Sequence, residues 1–163
     1  MNCLPKTKEY NQYIAEKYFD MIYRLALSQC GNTHDAEDIT SDVFLKYINC
    51  DKPFESEEHI KAWLIRVTVN RTKSLFTSSW FKKNVPLEET IPAQIPEEES
   101  EVYGAVMQLP QKYRAVIHLF YYEDLKTAQI AQILNIKEAT VRSQLLRARS
   151  MLKQFLEGDD SIV

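Results

Sequence analysis

The sequence predicts an all-α protein made of two small helical domains joined by an acidic, proline-containing linker. Three observations predict it. Only Gly31, Gly104 and Gly158 provide glycine in 163 residues, so turn signals are too sparse for a strand-rich fold. Apolar side chains recur at helical spacing on both sides of the middle of the chain. Between them, residues 85–101, "VPLEETIPAQIPEEESE", hold six glutamates, no base and Pro86, Pro92 and Pro96. That segment has no helical or strand period. Proline density with a glutamate run reads as an extended or disordered tether of at most about 55–60 Å. The expected boundaries are therefore a domain at 1–84, a flexible linker at 85–101 and a domain at 102–163.

Composition narrows the class. The chain is 45% hydrophobic, enough to bury a core, and its formal net charge is −3. The charge is unevenly placed: residues 1–84 carry a net +1, residues 85–101 a net −6 and residues 102–163 a net +2. Local fields, not the bulk value, then decide which partners each domain attracts. No apolar run reaches the roughly 18 residues of a membrane span, so no direct membrane insertion is expected. The start, "MNCLPKTKEY", lacks the apolar core of a signal peptide, and a cytoplasmic protein is expected. Cys3, Cys30 and Cys50 are odd in number and far apart, and with His34, His59 and His118 they show no zinc spacing. No cofactor and no metal is expected. With no phosphate-cradling glycine loop and no nucleophile constellation, neither is an enzyme.

In the N-terminal domain, "GNTHDAEDITSDVFLKYI" opens with Gly31 and a cap candidate, Asn32 or Thr33, ahead of first-turn acids. Ala36, Ile39, Val43 and Ile48 form the expected inward stripe. Asp35, Asp38 and Asp42 lie on another side. Like charges at that spacing repel slightly and no His or Cys converges on them, so an exposed acidic face is the natural reading. Next, Ile60, Trp63, Leu64 and Val67 carry a helical period. Trp63 taken alone is more often core than contact. Around it stand Arg66, Arg71, Lys73, Phe76, Trp80, Phe81, Lys82 and Lys83. Bases track phosphates and aromatic faces stack on unpaired bases, a mixture suited to single-stranded DNA.

In the C-terminal domain, Pro110 fits a helix start, and Val116, Ile117, Leu119 and Phe120 give a buried face. A short helix covers about 126–134, with Ile130 and Leu134 on one side. Asn135 tolerates the left-handed conformation and serves as the turn. A third helix begins near Glu138 with the apolar stripe Val141, Leu145, Ala148 and Leu152. Residues 135–154 hold five bases and one acid. Small Ala131 at the crossing, Asn135 four residues on and Val141 ten residues on describe a helix-turn-helix. The face opposite the stripe holds Ser143, Arg147 and Ser150, flanked by Arg142 and Arg149. It suits a major groove, with arginine reading guanine edges or holding phosphates. A solvated basic face on an ordinary helical hairpin is the plainer alternative.

At these residues the chain resembles bacterial sigma factors of the extracytoplasmic-function (ECF) group. "LPQKYRAVIHLFYYEDLKTAQIAQILNIKEATVRSQLLRARSMLKQFL" looks like their region 4. Leu109, Pro110, Arg114, Ile130, Ala131, Leu134, Thr140, Val141, Ser143, Leu145, Arg147, Ala148, Arg149 and Leu152 match the pattern. Gln129 stands where glutamate is usual, Gln144 replaces a frequent base, and Lys126 and Lys137 stand where a serine-type cap is common. A weaker cap is worth about 1 kcal/mol, which leaves the helix starts open. "AEDITSDVF" is similar to the motif that docks on the clamp helices of core RNA polymerase: Ala36, Glu37, Asp38, Asp42 and Phe44 match in kind, with Ser41 where glutamine is usual. The stretch around Trp63, Leu64, Arg66 and Asn70 resembles the segment that binds the −10 element and traps flipped bases, with Ser74 in place of a common aspartate.

The resemblance covers about residues 10–155. It implies a sigma factor that binds core RNA polymerase and directs promoter-specific transcription initiation. It implies polymerase contacts at Asp35, Asp38, Ser41, Asp42 and Phe44. The −10 contacts fall at Trp63, Arg66, Asn70, Arg71 and Lys73, and the −35 contacts at Lys137, Thr140, Arg142, Ser143, Gln144, Arg147 and Arg149. The linker is expected to thread through the polymerase. Core RNA polymerase and promoter DNA are the implied partners, and many members of the group are also held by an anti-sigma factor. The alternative is a stand-alone regulator that binds DNA through its helix-turn-helix, which leaves the acidic helix and the basic aromatic segment unexplained.

Overall fold

A computed structural model describes residues 3–77 and 97–157, side chains included except at 75–77 and 97–100. The described residues form helices and connecting turns, with no strand among them. The chain divides into two compact units, one built on the first three helices and one on the rest.

The first unit starts at α1, Lys8–Cys30, where the Thr7 hydroxyl accepts the Tyr10 N–H at 3.1 Å and caps the helix. Ile14, Tyr18, Met21, Ile22 and Leu25 recur every three or four residues and are buried. Gly31, at φ +78, ends α1 in the left-handed conformation that glycine adopts without a Cβ penalty. α2, Thr33–Asn49, buries Ala36, Ile39, Thr40, Val43, Phe44 and Tyr47. The expected stripe ends differently: Ile48 is 51% exposed and Tyr47 only 1%. Eleven residues from Ala36 is close to three full turns, whereas twelve rotates the side chain away, so helical angle overrides the greater hydrophobicity of Ile. α3, Glu57–Thr77, is capped by Ser56, whose hydroxyl accepts the His59 N–H at 3.1 Å. It buries Ile60, Leu64, Ile65, Thr68, Val69 and Thr72. Trp63 and Val67, expected on the inner side, are only half-buried, because the buried positions follow the four-residue rows through Ile60 and Ile65. Thr68 and Thr72 satisfy their buried hydroxyls on the backbone of the preceding turn, Thr68 on the Leu64 carbonyl at 2.7 Å and Thr72 on the Val69 carbonyl at 2.8 Å.

A polar cluster locks α1 to α3. Glu57 accepts from Tyr18 Oη at 3.0 Å and Tyr13 Oη at 3.2 Å and pairs with Lys17. Lys17, with smaller help from the tyrosines, holds the Glu57 carboxyl below the usual carboxylate range. Burial, then the bond to Glu57, pushes Tyr18 up to about 12.

The second unit starts with α4, Glu97–Met107. This corrects the absence of helical period expected across 85–101: its last five residues are helical. Pro96 precedes them and glutamates fill the first turn, both favourable at a helix start. α5, Gln111–Ile117, follows Pro110 and runs into a π-helical turn, His118–Tyr122. Val116, Ile117 and Leu119 are buried as expected, while Phe120 is half-buried. α6, Thr127–Leu134, and α7, Glu138–Glu157, make the helix-turn-helix. Asn135 sits at φ 56, ψ 48, and the Ile136 N–H reaches back to the Ala131 carbonyl at 3.0 Å. That six-to-one closure satisfies the orphan carbonyls at the end of α6. Val141, Leu145 and Ala148 are buried.

Candidate nucleic-acid interface

The recognition surface of the second unit depends on how α7 is held. Lys126 cannot accept a hydrogen bond from the start of α6. Gln129 compensates: its Oε1 accepts the Lys126 N–H at 2.9 Å, so the start is fixed from the third helical position. The Thr127 hydroxyl donates to Glu138 Oε1 at 2.9 Å, tying the start of α6 to the start of α7. Ala131, 7% exposed, lets the helices cross closely, and Val141, at 0%, packs back. The helix starts left open by the two lysines are thus set by Gln129 and Glu138.

What α7 presents outward is basic and polar. Thr140, Ser143, Gln144 and Arg147 line an open depression of about 290 Å³ whose other wall is Lys112 and Tyr113 from α5. Lys137 and Arg147 are exposed. Arg142 pairs with Glu138 one turn back at 3.5 Å, an exposed pair worth little energetically. Arg149 differs: its Nε donates to Tyr121 Oη at 2.6 Å and its guanidinium lies 5.5 Å from the Phe120 ring. Of the expected −35 set, Thr140, Ser143, Gln144 and Arg147 share one depression, Lys137 and Arg142 are exposed outside it, and Arg149 is exposed but engaged by Tyr121 and Phe120. Lys112 and Tyr113 line the same depression and escaped the sequence, because they precede the start of α7 at Glu138 by 26 and 25 residues and no spacing links them.

In the first unit the expected −10 residues Trp63, Arg66, Asn70 and Lys73 follow one another at helical spacing along α3. Arg66, Asn70 and Lys73 are exposed. Trp63 is half-buried, edge-on to Phe54 at 5.6 Å and tilted against Tyr47 at 6.3 Å. Arg71 turns to Asp42 on α2, donating from Nε at 3.3 Å and Nη2 at 3.1 Å. The pair lies in an open cleft of about 740 Å³ between α2 and α3, with Lys46, Asn49 and Asn70 around Leu45 and Val67. Lys46 and Asn49 were missed, although they stand four and seven residues beyond Asp42 and helical spacing alone places them beside it. The side chain of Phe76, and residues Trp80, Phe81, Lys82 and Lys83, lie outside what is described.

The polymerase-docking expectation is spread over two faces of α2. Asp38 and Ser41 are exposed, Asp38 with His34 Nε2 at 3.6 Å, and Asp35 is half-buried. Asp42 faces the cleft. Phe44 is buried and stacks on Phe19 of α1 at 6.2 Å, so here it holds α2 in place.

No described helix is long and apolar enough to cross a membrane. Residues 14–81 match the family "Sigma-70 region 2" and residues 99–152 match "Sigma-70, region 4". The ECF RNA polymerase sigma factor SigW of Bacillus subtilis is 31% identical, over 88% of this chain and 87% of its own. The RNA polymerase sigma factor SigV of the same organism is 32% identical, over 85% and 86%. Among solved structures, the sigma factor RpoE in complex with the anti-sigma factor NepR, from Bartonella quintana, superposes with a TM-score of 0.77 at 23% identity. That match covers 93% of this chain and 98% of RpoE.

Proposed function

This chain belongs to the ECF RNA polymerase sigma factors, promoter-recognising initiation factors, and we propose that its two units divide promoter recognition between them. α7 enters the major groove of the −35 element. Arg147, Ser143, Gln144 and Thr140 face base edges, while Lys137, Arg142 and Lys112 hold phosphates at the flanks. Asn70, Arg66, Lys73 and Trp63, with the α2–α3 cleft, take the unpaired strand of the −10 element, where polar groups around an apolar floor suit a flipped base. Asp35, Asp38 and Ser41 present the outer face of α2 to core RNA polymerase. The acidic segment 85–101, which ends in the first residues of α4, passes through the polymerase, where its carboxylates mimic a nucleic-acid backbone in a basic channel. The protein works in the cytoplasm as a binding factor without catalytic chemistry of its own. A further partner is an anti-sigma factor, as in the solved RpoE complex.

The observation that carries this reading is similarity over both units to relatives of which most of the length is matched, with exposed basic and polar side chains on α7. It also speaks against a stand-alone regulator, which has no use for the first unit. Transcription with purified core RNA polymerase decides: adding the chain starts transcripts at specific sites, and the same result with core enzyme alone, or no specific start with the chain added, refutes the reading.

A further inference from the structure

We propose that Arg149 is a positioning residue that fixes the recognition helix against the π-helical turn and makes no contact with DNA. The proposal rests on the role given above to α7 and changes which of its bases do the binding.

The turn is a rigid abutment. Its wide loop closes when the Glu123 N–H donates to the His118 carbonyl at 3.3 Å and the Leu125 N–H to the Leu119 carbonyl at 3.1 Å. Leu119 is 0% exposed and His118 5%, and the His118 ring stacks on Tyr122 at 5.2 Å, so the turn is rooted in the core. Beyond it Asp124 takes a positive φ of 53, and the chain turns sharply toward α6. π-helical turns are rare and concentrate at functional positions.

Phe120 and Tyr121 project from this abutment with their rings edge to face at 5.0 Å. Arg149 engages both: Nε to Tyr121 Oη at 2.6 Å, and the guanidinium over the two rings at 5.5 and 5.6 Å. The contact joins residues 28 apart in sequence and lies about three turns into α7. A planar guanidinium that donates and stacks at once is held far more firmly than an ammonium would be. Helical geometry separates Arg149 from Arg147 as well. Two residues rotate a side chain by about 200°, which puts Arg149 at the flank of α7 on the same side as Arg142; what sets it apart is that Arg142 pairs only with Glu138 one turn back, whereas Arg149 is engaged by Tyr121 and Phe120. Arg149 stays exposed with only its Nε engaged, so what its two Nη groups do on DNA is read from the salt dependence below.

The test uses the full chain assembled with core RNA polymerase. The probe is a duplex carrying the promoter that the wild-type holoenzyme selects from a randomised pool, with a scrambled duplex of equal composition beside it. Arg149→Ala, Arg149→Lys, Tyr121→Phe and the Arg149→Ala/Tyr121→Phe double variant are compared, each first shown to be folded by thermal melting. Each single variant is expected to lose about two- to tenfold in affinity for the selected promoter, the worth of one hydrogen bond. Preference over the scrambled duplex shrinks, the slope of log affinity against log salt stays at the wild-type value, and the double variant is no worse than the poorer single. A slope lowered by about one in Arg149→Ala, with lysine restoring binding and Tyr121→Phe silent, is the signature of a phosphate contact and overturns the proposal. Equal losses on both duplexes, or no loss, overturn it too. If the wild-type holoenzyme selects no promoter, the sigma-factor reading fails before any variant is compared.

Discussion

Glu57 shows how much of the first unit hangs on one carboxylate. It takes three partners, Lys17, Tyr18 and Tyr13, from the facing helix, and none of its neighbours in sequence announces this. Its carboxyl is held low by Lys17, so the folded state binds fewer protons there than the unfolded chain. That contribution is complete above the ordinary glutamate range and disappears as pH falls through the lowered value. Tyr18 acts at the other end: its pKa is raised to about 12, so its contribution is complete below pH 10 and lost as pH climbs toward 12. Glu57→Gln is therefore expected to flatten acid unfolding below the ordinary glutamate range, where Glu57 in the wild type takes up its proton, and denaturant melts at stepped pH measure it. Undiminished acid sensitivity would show that the cluster contributes nothing. On α7, Arg147 is exposed and lines the depression with Thr140, Ser143 and Gln144, the group proposed above to face base edges. Arg147→Ala is expected to cost about 1–3 kcal/mol on the selected promoter and to relax preference at one base pair. A uniform loss on all duplexes would make it a phosphate contact, and unchanged affinity at matched salt would remove it from the interface.

Elements are positioned by a few residues at their ends and crossings. Asn135 holds the turn of the helix-turn-helix at φ 56, which costs roughly 1–2 kcal/mol for a residue without Asn's local hydrogen bonding. Asn135→Ala is expected to destabilise the second unit by about 1 kcal/mol, and Asn135→Gly to be neutral or better. Hydrogen exchange of α6 and α7 amides in the full chain reads both, and an Ala variant as protected as wild type refutes the assignment. Between α2 and α3, Asp42 and Arg71 are each partly exposed, so the pair adds about 0–1 kcal/mol. Its consequence lies in where it aims Arg71. Asp42→Asn is expected to leave melting within about 1 kcal/mol and recovery of core polymerase normal, while opening of the −10 region weakens; lost polymerase recovery would return Asp42 to the docking face. The helix-turn-helix was legible because its small residue, turn residue and packing residue have fixed spacings that local physics enforces. The end of the α2 stripe was not, since Tyr47 and Ile48 are both apolar and only the helical angle separates them. Nor were the Asp42–Arg71 and Tyr121–Arg149 contacts, which join residues 29 and 28 apart that no periodic pattern relates.

Across the whole chain the charges form three fields, and the strongest belongs to the shortest segment. A net −6 over 85–101 outweighs the +1 and +2 on either side and makes an acidic protein of one that handles DNA. A negative segment beside basic recognition surfaces weakens them in free solution, by attraction within the chain or by repelling the duplex, and such fields act over about a Debye length, roughly 8 Å at physiological salt. In a basic polymerase channel the same charge becomes favourable and is no longer available to oppose DNA binding. Changing Glu88, Glu89, Glu97, Glu98, Glu99 and Glu101 together to Gln is thus expected to act in opposite directions on two equilibria. Affinity for core polymerase should fall, most at low salt, while affinity of the free chain for promoter duplex should rise. Titrations of both at 50 and 200 mM salt separate this from a solvated spacer. A spacer leaves core binding unchanged, whereas a backbone mimic loses it with a reduced salt dependence, since fewer counterions are then released when the segment enters the channel.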